Sequence, residues 1–302
     1  MSRDSNPLRV SALIVNYNSG EHAVECITSL LKQTAVELDI IVVDNASRDD
    51  SVDILRTTFG ERITLIESRE NLGFGRANNL AATSARGDIL LLINPDAVLL
   101  EDTAVATLAD FLLENPKIGI AGPQVHEPSK RKYVLPRQRY PSESRLKHTS
   151  KLKALPGEYA WILGACIMLR KPVYNQLGGF DPDYFLYGED IDICLRARLA
   201  GYSIAYYPSA KITHIGGASE QSSPTLEKFL RKKRGFFLFC RKHYDARDVA
   251  HIARMSLMTT AFKRIQLGLR RLLGLVSQSD YLGQKHRLDA ESIVARETLS
   301  KN

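Results

Sequence analysis

The chain of 302 residues has only four cysteines, Cys26, Cys166, Cys194 and Cys240, and no two of them form a CxxC pair. That spacing excludes a zinc ribbon and offers no disulfide framework, so a reducing compartment is expected. No stretch approaches the roughly 20 apolar residues that span a bilayer. The opening "MSRDSNPLRVSALIV" lacks the long apolar core and small-residue cleavage site of a secretory leader. The expectation is a cytoplasmic protein that touches a membrane at most from that side. A Walker lysine loop is missing as well, which removes support for P-loop hydrolysis. The glycine-rich piece "NLGFGRANN" has Gly73 and Gly75, but Asn78 stands where a dinucleotide fingerprint needs its third glycine. What it retains is a helix N-terminus whose backbone donors can approach a ligand. Internal repeats, low-complexity tracts and a persuasive Ser-His-Asp or Cys-His constellation are absent too.

Charge is present but uneven. The formal balance is +7, yet from Glu227 onward there are 17 Lys or Arg against 7 Asp or Glu, which leaves the preceding 226 residues slightly acidic. This argues against a nucleic-acid-binding core and makes the tail the candidate for an anionic surface. Within that tail "KFLRKKRGFFLFCRKHY" interleaves bases with aromatics. Further on Met255, Met258, Phe262, Ile265, Leu269, Leu272 and Val276 recur three and four apart beside Lys263, Arg264, Arg270 and Arg271. Such a pattern serves a packed helix or short coiled-coil seam as well as an amphipathic helix on an anionic leaflet.

The first 122 residues alternate strand-like runs ("RVSALIV", "LDIIVVD", "RITLIES", "DILLLIN", "KIGIAGP") with helix-like segments at residues 21–33, 50–58, "GRANNLAATSA" and 101–114. Repeated βα units with near-continuous apolar strands predict an α/β fold with a Rossmann-like, mainly parallel sheet and helices on both faces. Residues 127–156 are polar, basic and proline-containing, too long for a simple connection, and read as a mobile loop or lid. A strand and helix follow in "YAWILGACIMLRKPVYNQLGGF", then "DPDYFLYGEDIDICLRARLAGY", a strand pair around "SIAYYPSAKITHIGG", and the helical tail.

In such sheets ligands bind outside the carboxyl ends of the strands. Three polar clusters fall there: "NYNSG" from Asn16, "DNASRDDS" from Asp44, and "NPD" from Asn94. Any one of them alone serves equally as a helix cap; three together favour a site. Glu189, Asp190 and Asp192 crowd the start of a helix that Arg196 and Arg198 close, a pattern that also suits the macrodipole. Three acids so close repel one another, and crowding raises a carboxyl pKa toward the range of a general base. His214 ends a short strand. Paired with Asp96, and with phosphate oxygens from a nucleotide, it would suit Mg2+ or Mn2+.

The motifs "VSALIVNYNSG", "IIVVDNASRDDS", "ENLGFGRANN", "LLLINPDAVL", "GACIMLRKPVYNQLGGFDPDYFLYGEDIDICLRARLAGY" and "THIGGAS", in this order over residues 8 to 220, resemble glycosyltransferase family 2, most of all its bacterial rhamnosyltransferase-like branch. The resemblance implies a GT-A fold, a metal-dependent inverting transfer and a nucleotide-sugar donor. It places Asp44 at the nucleoside, with Asn16, Tyr17 and Asn45 in the same pocket and Asn71, Gly73 and Arg76 on the donor side. Asp96 is the last residue of the family's D-x-D triplet, His214 matches a histidine of its metal shell, Asp190 matches its catalytic base, and Glu189 that base's companion. Two departures stand out. The triplet reads Asn94-Pro95-Asp96, so its first acid is an amide, and the usual Ala-Arg-Asn is Ala77-Asn78-Asn79, with Arg76 the candidate substitute.

The layout implied is a catalytic region at residues 1–226, with a nucleotide-sugar half at about 8–122 and an acceptor half at about 123–226, followed by a basic amphipathic helical region at 227–302. The implied reaction moves a sugar, rhamnose from dTDP-rhamnose being favoured, onto a cell-envelope glycan or lipid-linked saccharide. Hexosyl or galactofuranosyl transfer stays open within the class. A membrane-surface module that binds nucleotide without turnover is the alternative of another kind, with the amide at Asn94 in its favour.

Overall fold

The computed structural model describes residues 8–216 and 225–301. Residues 1–7, residues 217–224, which include the end of "THIGGAS", and residue 302 lie outside the described residues. The chain forms two compact units. One comprises Leu155–Phe185 and the described parts of Met1–Arg139 and Glu189–Glu220; the other comprises Tyr140–Ala154, Leu186–Gly188 and the described part of Gln221–Asn302. Two short pieces that precede residue 226 in the chain, 140–154 and 186–188, belong to the helical unit.

The first unit runs β1 (Arg9–Asn16), α1 (Gly20–Leu31), β2 (Glu37–Asp44), α2 (Ser51–Phe59), β3 (Thr64–Glu67), α3 (Phe74–Ser84), β4 (Ile89–Ile93), β5 (Ala97–Leu99), α4 (Ala104–Glu114), β6 (Ile118–Glu127), β7 (Lys132–Val134), β8 (Cys166–Arg170), α5 (Lys171–Gln176), α6 (Glu189–Leu199) and β9 (Ser203–His214). Its sheet has the order β3-β2-β1-β4-β8-β6-β9-β5, with β7 paired to β6. The block β3-β2-β1-β4 is parallel, as the βα alternation predicts. Beyond it the sheet turns mixed: β8 enters antiparallel between β4 and β6, while β6 and β9 are parallel. An apolar run carries no strand direction, so the sequence pattern could not show this. The strand pair expected around "SIAYYPSAKITHIGG" is one strand, β9, whose register against β6 shifts between Pro123 and Gln124.

Alternation along β1 divides the core in two. Val10, Ala12 and Ile14 join the cluster under α1, α2 and α4, which contribute Ile27, Leu55 and Leu108. Leu13 and Val15 face the other cluster with Ala77 and Ala81 of α3 and Ile193 and Ala197 of α6. Strand residues two apart share a face, so a strand buried on both faces must be apolar throughout. All four cysteines are buried and unpaired. Burial pushes the Cys166 and Cys194 thiols up to about 12, so both act as small apolar residues rather than nucleophiles.

The second unit is helical, with α7 (Leu226–His243), α8 (Ala246–Leu272) and α9 (Gln278–Ser300). Each helix starts on a side-chain cap: Thr225 accepts from the Lys228 amide, Asp245 from Arg247 and Ser277 from Asp280. Part of the segment expected as a mobile loop is anchored here. Asp248, buried on α8, accepts hydrogen bonds from the Lys147, His148 and Thr149 amides and the Thr149 hydroxyl. Among the described residues no helix is long and apolar enough to cross a membrane.

Candidate active site

Asn16, Tyr17, Asp44, Asn45, Asn71, Gly73, Asn94 and Asp96 sit at the carboxyl end of the parallel block or on the loops that follow, while Arg76 lies on α3, Glu189 and Asp190 open α6 and His214 ends β9. At the tip of β2, Asp44 is buried; its Oδ1 accepts from Asn16 Nδ2 at 2.9 Å and from the Ser47 hydroxyl at 2.6 Å, and its Oδ2 accepts from the Ser47 amide at 3.0 Å. Asp44 therefore closes its own loop and does not cap α2, whose N-cap is Asp50. Asn16 Oδ1 is buried without a hydrogen-bond partner, an acceptor left open at the end of β1. Tyr17 is half-buried beside it. Two non-glycine residues of these loops, Asn18 (φ 49°) and Ala46 (φ 63°), occupy the left-handed region, a local strain of the kind concentrated at ligand sites.

Asn45 and Asn71 build the next loop. Asn45 Nδ2 donates to Asn71 Oδ1 (3.0 Å) and to the Gly73 carbonyl (3.2 Å), and its Oδ1 accepts from the Leu72 amide at 2.8 Å; Asn71 Oδ1 also accepts from the Gly73 amide. Both amide side chains are thus engaged in shaping the loop before α3. Gly73 must be glycine: its φ is +77°, and an added Cβ would lie 2.2 Å from the Phe185 carbonyl oxygen. Arg76 is exposed and donates Nε–H to the Leu72 carbonyl.

Past β4, the Asn94 amide donates to the Ala165 carbonyl, extending the β4–β8 ladder by one bond. Asp96 precedes a strand, β5, and not a helix, so the capping role open to it in the sequence does not apply. β5 pairs with β9 so that Ala97 stands opposite His214, and this register brings Asp96 and His214 together. His214 Nε2 lies 3.2 Å from Asp96 Oδ1 and 3.3 Å from Asn94 Nδ2, and Asp96 Oδ2 accepts from the Gly216 amide. A ring nitrogen carries either a hydrogen or a lone pair, so Nε2 satisfies one of those two neighbours and not both. Asn94 Oδ1 and His214 Nδ1 are buried without partners. A carboxylate, an imidazole nitrogen and an unmet amide oxygen in one place fit a divalent cation such as Mg2+ or Mn2+ that draws its remaining ligands from phosphate oxygens. Among the described residues no three His, Cys, Asp or Glu side chains are grouped so as to hold a metal ion by themselves.

Asp190 reaches the same end of the sheet by way of β8. One residue before Ala165, the Gly164 amide donates to Asp190 Oδ2 at 3.3 Å, and the Ile191 amide donates to Oδ1 at 2.8 Å. Burial raises the Asp190 pKa and these backbone donors pull it down. Its neighbour Glu189 is buried, Oε2 has no partner, and its pKa is pushed up to about 8, first by desolvation and then by the Asp190 charge. Both carboxyls are raised: Glu189 by burial and the Asp190 charge, and Asp190 by burial that outweighs the pull of its amide donors. The third acid is structural, because Asp192 is ion-paired with Arg196 at 2.7 Å along α6.

Ser47 and Gly164 are not among the candidates offered by the sequence, and Asn79 enters there only as the last residue of the altered triplet Ala77-Asn78-Asn79. The Asp-x-x-Ser turn signal could have found Ser47. Asn79 accepts from the Tyr174 hydroxyl and the Phe180 amide and donates to the Phe180 carbonyl, a hundred residues away, which no local pattern shows. Gly164 leaves room for Asp190, whose Cβ would lie 3.0 Å from an added methyl.

Comparison with known proteins adds to this geometry. Residues 11–178 match the family described as Glycosyl transferase family 2, and residues 144–217 match the N-terminal domain of galactosyltransferase. An N-acetylglucosaminyl-diphospho-decaprenol L-rhamnosyltransferase of Mycobacterium tuberculosis is 25% identical, the alignment covering 76% of this chain and 83% of that protein. An O-antigen chain rhamnosyltransferase of Salmonella typhimurium is 23% identical, with 68% and 66% covered. Among solved structures, a mannosyltransferase from Pyrobaculum calidifontis in complex with GDP-Man and Mn2+ superposes with a TM-score of 0.61 at 17% identity, covering 99% of this chain and 89% of its own. S. aureus TarS in complex with UDP-GlcNAc does so with a TM-score of 0.55 at 16% identity, covering 98% and 93%. At those identities the structural likeness shows the shared GT-A-like α/β fold.

Proposed function

The chain belongs to glycosyl transferase family 2 and is a glycosyltransferase; we propose that it inverts the anomeric centre of a nucleotide-linked sugar, with dTDP-rhamnose the favoured donor and a cell-envelope or lipid-linked saccharide the acceptor. The observation that carries this reading is the meeting of two separate devices at one sheet end: the Asp96–His214 pair beside the unmet Asn94 oxygen, and Asp190 held by the Gly164 amide. The rhamnosyltransferases among the relatives support the choice of sugar.

In this mechanism Asn16, Tyr17 and Asp44 bind the nucleoside, Asn16 through its open Oδ1. Asn45 and Asn71 act as positioning residues that hold the loop of Gly73 and Arg76 against the donor. Asp96 and His214, with Asn94 alongside, would hold Mg2+ or Mn2+, which when bound supplies Lewis-acid stabilisation of the leaving diphosphate. Asp190 accepts the proton of the acceptor hydroxyl as that oxygen attacks the sugar carbon from the face opposite the diphosphate. Glu189, protonated beside it, adds no second negative charge and leaves Asp190 the sole base. A single displacement inverts the centre, and no enzyme nucleophile takes part.

The test is release of nucleoside diphosphate from a panel of dTDP-, UDP- and GDP-sugars with lipid-linked and soluble saccharide acceptors, for the native chain and for Asp190→Asn. Turnover with dTDP-rhamnose that falls by about 10²–10⁴ in the variant, at unchanged donor affinity, is expected. Turnover with another donor only would overturn the choice of sugar, and full activity of the variant would overturn the base assignment.

A further inference from the structure

The helical unit carries a feature outside the candidate site described above. A cavity of about 710 Å³ lies within that unit, and its lining includes the cations Arg145, Lys233, Lys263, Arg270 and Arg287 with one carboxylate, Glu291. Glu291 is already paired with Lys233. Among the described residues none of the other four cations is held by an ion pair or a side-chain hydrogen bond. Several like charges facing one cavity repel, and the arrangement is relieved by an anion with several acceptor oxygens.

The surface of α8 indicates what bears that anion. At about 100° per residue, Lys263, Leu267 and Arg270 share the face that lines the cavity, while Met258, Phe262, Ile265, Leu269 and Leu272 form a stripe roughly a third of a turn around. Within the unit that stripe is uncovered: exposure runs from 55% at Leu269 to 82% at Leu272, and Leu273 and Leu275 continue it past the helix end. A long apolar stripe beside unpaired bases is the composition of a surface that lies in the headgroup region of an anionic leaflet.

We propose that this cavity is a binding site for a lipid-borne phosphate or diphosphate, with the α8 stripe entering the acyl boundary beside it. Neither the donor site nor the reaction enters this inference. The stripe supplies non-specific apolar contact and the cavity supplies recognition of the charge.

The experiment uses the full chain in three forms: native, K263Q/R270Q and F262S/L269S. All four positions are exposed, and circular dichroism confirms that each variant is folded. Sedimentation is compared between neutral phosphatidylcholine vesicles and vesicles containing phosphatidylglycerol, and inorganic diphosphate binding is measured by calorimetry. The native protein should bind the anionic vesicles and saturably bind diphosphate. K263Q/R270Q should lose diphosphate binding and weaken vesicle binding by about 30-fold, the effect of two bases near a charged leaflet. F262S/L269S should keep diphosphate binding and lose vesicle binding. Equal vesicle and diphosphate binding by native protein and K263Q/R270Q overturns the site. Diphosphate binding without vesicle binding overturns the lipid source and leaves a site for soluble phosphate. A native dimer that F262S/L269S dissociates, with no vesicle binding, assigns the stripe to a second copy of the chain and also overturns the lipid source.

Discussion

Replacing Glu189 by glutamine tests the division of labour between the two carboxyls. Glu189 is buried and its pKa is raised from the ordinary 4.5 to about 8 by desolvation and by Asp190. A carboxyl with a raised native pKa binds its proton more tightly in the folded state. Its contribution to stability is therefore complete below pH 4.5 and is lost as pH rises through about 8. The slope is about 1.4 kcal/mol per pH unit and levels off at the native pKa, so the native protein should lose about 2 kcal/mol between pH 6 and 8 from this group. Glutamine has the shape of the protonated acid and does not titrate, so Glu189→Gln escapes that loss. Asp190 is raised by burial, with its backbone donors opposing, and that burial is common to both proteins. For a chain of 302 residues the unfolding entropy is about 0.6 kcal/mol/K, which converts the difference to about 4 °C in Tm. Differential scanning calorimetry at half-unit steps from pH 5 to 8 reads it: the native Tm should fall relative to that of the variant steadily from pH 5 upward, the change levelling off near pH 8. Activity at pH 7 should stay within a factor of a few of the native value. Parallel Tm curves across the range would mean that Glu189 is ionised, and the assignment of Asp190 as sole base would lose its footing.

Three further outcomes follow from the same geometry. His214→Ala removes the imidazole that faces Asp96 at 3.2 Å, and should raise the Mg2+ or Mn2+ concentration for half-maximal turnover by about 10-fold or more; an identical metal titration would refute the ligand role. Gly164→Ala places a methyl 3.0 Å from Asp190 Cβ, so kcat should fall about 10-fold or more through misplacement of the base while donor KM stays unchanged, and wild-type kcat would refute the positioning argument. Asp248→Asn should destabilise the helical unit by about 2 kcal/mol, judged by urea unfolding, because the amide replaces a charged acceptor of four hydrogen bonds. Burial pushes the Asp248 carboxyl up, but bonds from Lys147, Thr149 and His148 outweigh it and bring it down to about 2. That stabilisation is present above pH 4 and should fade as pH falls toward 2, and an Asn variant matching the native protein at pH 7 would refute it.

The parallel block was legible because its strands are apolar on both faces and its βα alternation admits few topologies. The placing of Asn16, Asp44 and Asn94 was legible for the same reason, since they stand where such strands end. Other decisions lay outside any local pattern. The antiparallel entry of β8 sets Gly164 beside Asp190, and the β5–β9 register sets His214 beside Asp96, 118 positions away in the chain. Only the paired strands decide which polar residues share one space, because hydrogen-bond register is a property of two segments and not of either. The tail shows the same limit from the other side. Its three-and-four spacing left a packed seam and an open apolar face equally admissible, and the packing of α9 against α7 and α8 leaves Phe262 and Leu269 uncovered within that unit. The sequence by itself determined which faces are apolar and where charge gathers; tertiary structure alone decided which of those faces is buried and how far Glu189 and Asp190 are desolvated, because burial arises only when distant segments meet.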